Sequence, residues 1–151
     1  MKYLLAIFFV FVFVNFCVGQ QLGTKAENTL KQARFIDLYK MERDTHDCLD
    51  SKDPPIIANN KVDSCFHKVK ALSVADINTL REILLNKNSY QRPRFEDCFA
   101  SEFGVVIFNE KHVITGFITF SLGCNNMDMS DANKMLTITN KAKRRLRKII
   151  H

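Results

Sequence analysis

A long apolar run near the N-terminus separates the part of this chain that folds from a part that is expected to be removed. Lys2 precedes an unbroken apolar stretch over residues 4–14, and small residues stand one and three positions before a cut ahead of Gln20. This order is typical of a secretory signal peptide. An uncleaved membrane anchor, the alternative, needs about 20 apolar residues, whereas this run is interrupted at Asn15. The sequence therefore predicts a signal peptide over residues 1–19 and a secreted, extracellular protein.

Secretion decides how the cysteines are interpreted. Cys17 leaves with the signal peptide, and the remaining cysteines are expected to form two disulfides in an oxidising compartment. Three pairings are possible, of which Cys48–Cys65 with Cys98–Cys124 is favoured because each pair joins neighbouring predicted helices. On the chain-entropy model, each bridge would stabilise the fold by about 3–4 kcal/mol.

Most of the positive charge lies at the C-terminus. The chain has 22 basic and 16 acidic residues, but residues 20–140 carry 15 basic and 16 acidic residues. A nucleic-acid-binding fold shows basic residues spread over one face, so nucleic acid is not an expected partner. We therefore expect one domain over residues 20–140, followed by a basic tail over residues 141–151.

Capping motifs and apolar residues at helical spacing predict an all-α domain. Two capping boxes, Thr24 with Glu27 and Ser73 with Asp76, indicate helix starts. The spacing of the apolar residues places helices at about residues 25–43, 61–71, 74–86, 94–103 and 111–123, with a last helix from Ser130 into the tail. The predicted architecture is a small domain of five or six helices, stapled by two disulfides.

Residues 105–122 are open to two interpretations. The segments on either side of residues 109–112 are rich in β-branched and aromatic residues, which is typical of a β-hairpin. However, Ile114, Phe117, Ile118 and Leu122 recur at helical steps. The neighbouring predicted helices favour a helix over residues 111–123, and the hairpin is the alternative.

No motif in the sequence predicts catalysis or metal binding. The chain has no GxSxG nucleophile elbow, no HExxH zinc motif and no P-loop. His46 with Cys48, and Cys65 with His67, could offer nitrogen and sulfur to zinc, but their spacing is not a usual ligand spacing, and secreted thiols oxidise. We therefore expect a protein that is not an enzyme and that holds neither a metal nor a cofactor.

Aromatic residues are concentrated in one third of the predicted domain. A stripe at helical spacing usually belongs to the core, but disulfide bracing would let a small helical shell keep an internal apolar cavity. The candidate residues lining a pocket of this kind are Phe99, Phe103, Phe117, Ile118 and Phe120.

Residues 65–117 resemble the front half of an insect odorant-binding protein. In that family a first cysteine is followed by a capped helix, which residues 73–77 resemble, and then by a helix that carries the second cysteine and ends in an aromatic-rich turn. Residues 98–106 resemble this second helix and its exit, although Glu102 stands where the family has its third cysteine. The resemblance implies a compact, all-helical carrier with a central apolar pocket for small lipophilic ligands.

Two functions are compatible with these features. The first is a secreted, non-enzymatic carrier of a small hydrophobic ligand. The alternative is a secreted cationic effector of the salivary, venom or antimicrobial type, whose tail helix would rest its apolar side on an anionic membrane or would bind a polyanion. A plainer interpretation is that basic residues at a helix C-terminus offset the helix dipole. The contact residues of the tail would be Lys141, Lys143, Arg144, Arg145, Arg147 and Lys148.

Overall fold

The computed structural model describes residues 21–42, 48, 54–92, 100–130, 132 and 135–151. In this part of the chain there are three α-helices, α1 (Thr24–Gln32), α2 (Val74–Leu85) and α3 (Asn140–Ile150). The same residues form nine strands: β1 (Phe35–Met41), β2 (Ile57–Ala58), β3 (Lys61–Val62), β4 (Phe66–Ala71), β5 (Tyr90–Gln91), β6 (Phe103–Phe108), β7 (Ile114–Ser121), β8 (Asn126–Met129) and β9 (Leu136–Ile138). A 3-10 turn, Lys87–Ser89, connects α2 to β5.

Seven of these strands form one antiparallel sheet. The order across the sheet is β4-β1-β6-β7-β8-β9-β5, and every neighbouring pair is antiparallel. β2 and β3 form a separate small hairpin. The prediction of an all-α domain with five or six helices is therefore wrong. The all-helical fold implied by the resemblance to insect odorant-binding proteins is not the fold of this chain.

Strands occupy much of three predicted helices. β1 lies in the second half of the helix predicted over residues 25–43, β4 in that over 61–71, and β7 in that over 111–123. β6 and β7 are the two arms of a hairpin, so the alternative interpretation of residues 105–122 is correct. The helix predicted over residues 94–103 lies largely outside the described residues. The last helix begins at Asn140 because β9 precedes it.

The error has a physical cause, which is that the centre of the sheet is buried on both faces. In β7, Ile118 and Phe120 lie under the helices, and Phe117 and Thr119 point to the opposite face, which is also covered. A strand of this kind loses the alternation of apolar and polar residues that identifies a half-buried strand. An extra residue in β7, Thr115, also shifts its register against β6. The remaining apolar spacing then resembles a helix.

Local signals at the helix ends were more informative. The capping box that begins α2 is confirmed, since the Asp76 N–H donates to the Ser73 hydroxyl at 3.1 Å and the Ser73 N–H donates to the Asp76 carboxylate at 3.3 Å. α1 is instead preceded by Gly23, with no side-chain cap. At its other end, Arg81 of α2 donates to the carbonyls of Leu30 and Ala33, which helical bonding leaves unpaired.

The three helices pack on one face of the sheet and form the main core. Leu30 of α1, Leu80 of α2 and Leu146 of α3 are each at most 1% exposed. They belong to the same cluster as Ile118 and Phe120 of β7. The domain is thus a two-layer arrangement of helices on an antiparallel sheet.

A second, smaller core covers part of the other face. A disulfide between Cys48 and Cys65, the first of the two favoured pairs, lies there beside the fully buried Ile56. Gly104 of β6 makes room for this segment, since a Cβ at position 104 would collide with the Ile56 side chain. Cys124 is also disulfide-bonded, and Cys98, its predicted partner, lies outside the described residues.

Candidate polyanion-binding surface

The segment that the sequence sets apart as a basic tail forms α3, a helix that belongs to the core. The Thr139 hydroxyl accepts the Ala142 N–H at 3.3 Å and so caps its first turn. Leu146, Ile149 and Ile150 are between 1% and 7% exposed and pack in the main core. α3 is therefore a fixed platform for its cations, which project from the opposite side.

Contacts at both sides hold α3 in place. The Lys143 ammonium donates to the Asn125 side-chain oxygen at 2.7 Å, in the turn between β7 and β8. Arg145 forms an ion pair with Glu82 of α2, with 2.7 Å between the guanidinium nitrogen and the carboxylate oxygen. The Thr139 N–H donates to the Ser89 carbonyl, so the start of α3 lies beside the turn that follows α2. α2 and α3 consequently run antiparallel along this side of the domain.

Four further cations on α3 are exposed, and we call them the basic face: Lys141, Arg144, Arg147 and Lys148. Successive residues of an α-helix are rotated by 100° about its axis. Lys141, Arg144 and Lys148 therefore lie in one row along α3, and Arg147 lies to one side of this row. From Lys141 to Lys148 the row spans about 10 Å at 1.5 Å per residue. α3 contains no acidic residue. The basic face is thus a short linear array of like charges on a rigid support.

Only part of the charge pattern of α3 serves the stability of the helix. Arg147 and Lys148 lie in the last turn and complement the helix dipole, but Lys141 and Lys143 lie in the first turn and oppose it. A cation in the first turn costs about 0.3–1 kcal/mol. Like charges four residues apart, as in Arg144 and Lys148, cost a few tenths of a kcal/mol more. The dipole interpretation therefore explains only the end of α3, and an anion bound along the helix would relieve the remaining repulsion.

The apolar side of α3 is not available to a bilayer. The residues that would rest on a membrane, Leu146, Ile149 and Ile150, are those that α3 buries in the main core. Within the described residues, no helix has the length and apolar character to cross a membrane. The basic face offers charge without an apolar contact area, which suits an anionic chain better than it suits membrane insertion.

The predicted ligand-lining residues lie in two different places. Ile118 and Phe120 are at most 1% exposed under the helices, and Phe103 packs against the same cluster. Phe117 lies on the opposite face of the sheet with the second core. Phe99 lies outside the described residues. The structure thus brings together Phe103, Ile118 and Phe120, and separates Phe117 from them.

A cleft of about 460 Å³ opens at one end of the sheet, between the end of α1 and the β6–β7 turn. Arg34 and Glu110 form an exposed ion pair across its rim, with 3.3 Å between nitrogen and oxygen. The cleft is lined by both apolar and polar side chains, with Phe108 among several polar residues such as Gln32 and Thr115. None of the predicted ligand-lining residues lines it. Sequence reasoning missed this cleft because the end of α1 and the β6–β7 turn, which line it, are far apart in the chain and meet only in the folded domain.

The histidines and cysteines that were considered and rejected as zinc ligands lie in different settings in the structure. Cys48 and Cys65 are oxidised to a disulfide, the His67 Nδ1 lies 3.5 Å from a Glu42 carboxylate oxygen, and His46 lies outside the described residues. Among the described residues, no three metal-binding side chains come together. The basic face of α3 is thus the site with the most distinctive chemistry in this part of the chain. No protein family, curated protein or solved structure matches this chain.

Proposed function

We propose that this chain is a secreted, non-enzymatic protein that binds an extended polyanion, such as a sulfated glycan, through the basic face of α3. The single observation that carries this proposal is the row of exposed cations, without an acidic residue among them, on a helix that is fixed in the core. The apolar leader over residues 4–14 and the Cys48–Cys65 disulfide support an extracellular setting.

Sulfate groups suit this surface for chemical reasons. Guanidinium groups bind planar or tetrahedral oxyanions through paired N–H donors, and Arg144 and Arg147 supply two such groups beside two lysines. A chain of sulfates stays fully charged at neutral pH and can place several negative groups along about 10 Å of helix. A bilayer surface would satisfy the same cations, but the buried apolar side of α3 supplies nothing to insert.

Neutralising the basic face is expected to abolish binding without unfolding the domain. We expect the wild-type protein to bind heparin, with an affinity that falls about 100-fold between 50 and 200 mM salt if four cations release counterions as they do on nucleic acids. The variant K141Q/R144Q/R147Q/K148Q should lose this binding, because it removes the four exposed charges and keeps every buried residue of α3. Fluorescence titration at several salt concentrations measures both quantities.

A matched control separates the site from net charge. The variant K25Q/K31Q/K61Q/K111Q removes four exposed lysines from other elements and reaches the same net charge. It should keep most of the affinity and the salt dependence of the wild type. Equal loss in the two variants would show that binding follows total charge, and the proposal would then be wrong.

A carrier of small lipophilic ligands is the second candidate function, and the cleft beside α1 is the observation that favours it. Its volume of about 460 Å³ lies within the roughly 300–1,000 Å³ of small-ligand sites. An apolar fluorescent probe is expected to bind at micromolar concentrations, and the cleft-lining substitution Q32W should block it by filling space. N28W, on an exposed position of α1 that does not line the cleft, is the control. No saturable binding across a broad panel of lipophiles would contradict the carrier function.

A further inference from the structure

We infer that Glu82 competes with the polyanion for Arg145, and that the ligand of the basic face is therefore a linear polyanion long enough to pass over Lys141, Arg145 and Lys148. This inference rests on the proposed function, because it assigns a ligand class and a regulating residue to the same surface. It follows from the position of the Glu82 carboxylate of α2 beside α3, whose charged residues are all basic.

Arg145 lies beside the row of exposed cations, on the side opposite Arg144. It lies four residues after Lys141 and three before Lys148, so the three side chains are neighbours on the helix surface. Arg145 keeps 39% of its side chain exposed, and a ligand can therefore reach it. An anion that contacts both Lys141 and Lys148 passes between Arg144 and Arg145, and therefore within reach of the Arg145 guanidinium.

Glu82 holds Arg145 in the unliganded protein. Its carboxylate lies 2.7 Å from the guanidinium, and its own side chain is 68% exposed. Among the ion pairs of the described residues, this is the one that involves α3. Because both partners face water, the pair is weak enough to open when a stronger anion arrives.

Competition of this kind discriminates between ligands. A single inorganic anion gains one or two cations and leaves the Glu82 charge close by, so it binds poorly. A linear polyanion gains the whole row and draws Arg145 away from Glu82, since each further cation releases another counterion. Glu82 therefore raises the number of charges that a ligand needs.

The substitution Glu82→Gln is expected to tighten heparin binding about two- to fivefold, which corresponds to the usual strength of an exposed ion pair. The matched control is Glu110→Gln, which removes one negative charge and a more exposed Arg–Glu pair at the cleft rim. Inorganic sulfate should bind the wild type and both variants weakly.

The outcomes separate this inference from the proposed function. If K141Q/R144Q/R147Q/K148Q loses binding but Glu82→Gln gains no more than Glu110→Gln, the competition is refuted and the function stands. If K141Q/R144Q/R147Q/K148Q binds heparin as the wild type does, the proposed polyanion-binding function is wrong. In an Arg145→Gln background, the extra gain from Glu82→Gln should disappear. An undiminished gain there would mean direct repulsion by Glu82, and competition for Arg145 would be wrong.

Discussion

Deletion of residues 141–151 is expected to unfold this domain. The deletion removes nearly all of α3, including Leu146, Ile149 and Ile150, which are almost fully buried. Burying side chains of this size contributes about 1.5–3 kcal/mol each, so about 5–9 kcal/mol would be lost together. A domain of this size is stable by only about 5–15 kcal/mol in total. Circular dichroism and thermal unfolding of the truncated protein measure the effect.

The control keeps the helix and removes its charge. K141Q/R144Q/R147Q/K148Q should show a cooperative unfolding transition close to that of the wild type, because its substitutions are all on the exposed side. A truncated protein that still unfolds cooperatively near the wild-type temperature would show that α3 is dispensable to the core. Since truncation should destroy the fold, binding at the basic face has to be tested by substitution.

Several local features of the fold could be predicted from the sequence. The capping box of Ser73 and Asp76 identifies the start of α2, because its two hydrogen bonds depend only on residues three apart. The end of α1 could not be predicted, since its last carbonyls are paired with Arg81, about 50 residues away along the chain. Contacts of that range carry no local signal, and the predicted helix extended too far as a result.

The strands of the sheet could not be predicted from the sequence for a different reason. β7 has one face under the helices and the other against the second core, so its sequence contains few polar residues to mark the exposed side of a strand. β-branched and aromatic composition was the remaining signal over residues 105–122, and it favoured the hairpin. The neighbouring predicted helices favour a helix over residues 111–123 instead, and because β1 and β4 also lie within predicted helices, the predicted fold class is wrong.

The cations of the candidate site could be identified from the sequence, but their setting could not. Leu146, Ile149 and Ile150 have the same spacing whether a helix rests on a membrane or on a protein core. Only the tertiary contacts with α2 and the sheet show that these three side chains are buried in the protein core. The ion pair of Arg145 with Glu82 joins residues 63 positions apart and is equally invisible to sequence patterns.

The substitution Phe120→Ala is expected to destabilise the domain by about 3–5 kcal/mol, the usual cost of emptying a buried aromatic site. Phe120 was predicted to line a ligand pocket, but it is 1% exposed and lies in the main core between the sheet and the helices. Its removal would leave a cavity beside Ile118 and Phe103, which the surrounding strands cannot close without shifting. Equilibrium unfolding in urea measures the change in free energy.

Phe117→Ala provides the comparison, because Phe117 lies on the opposite face of the same strand and is only partly buried. It should cost clearly less than Phe120→Ala, since less apolar area leaves water at that position. The pair of variants also tests the carrier function. If Phe120→Ala keeps wild-type stability and abolishes binding of the apolar probe, Phe120 lines a pocket and the packing described for the main core is wrong. A large loss of stability instead identifies Phe120 as a core residue, and leaves the cleft beside α1 as the place to look for a small ligand.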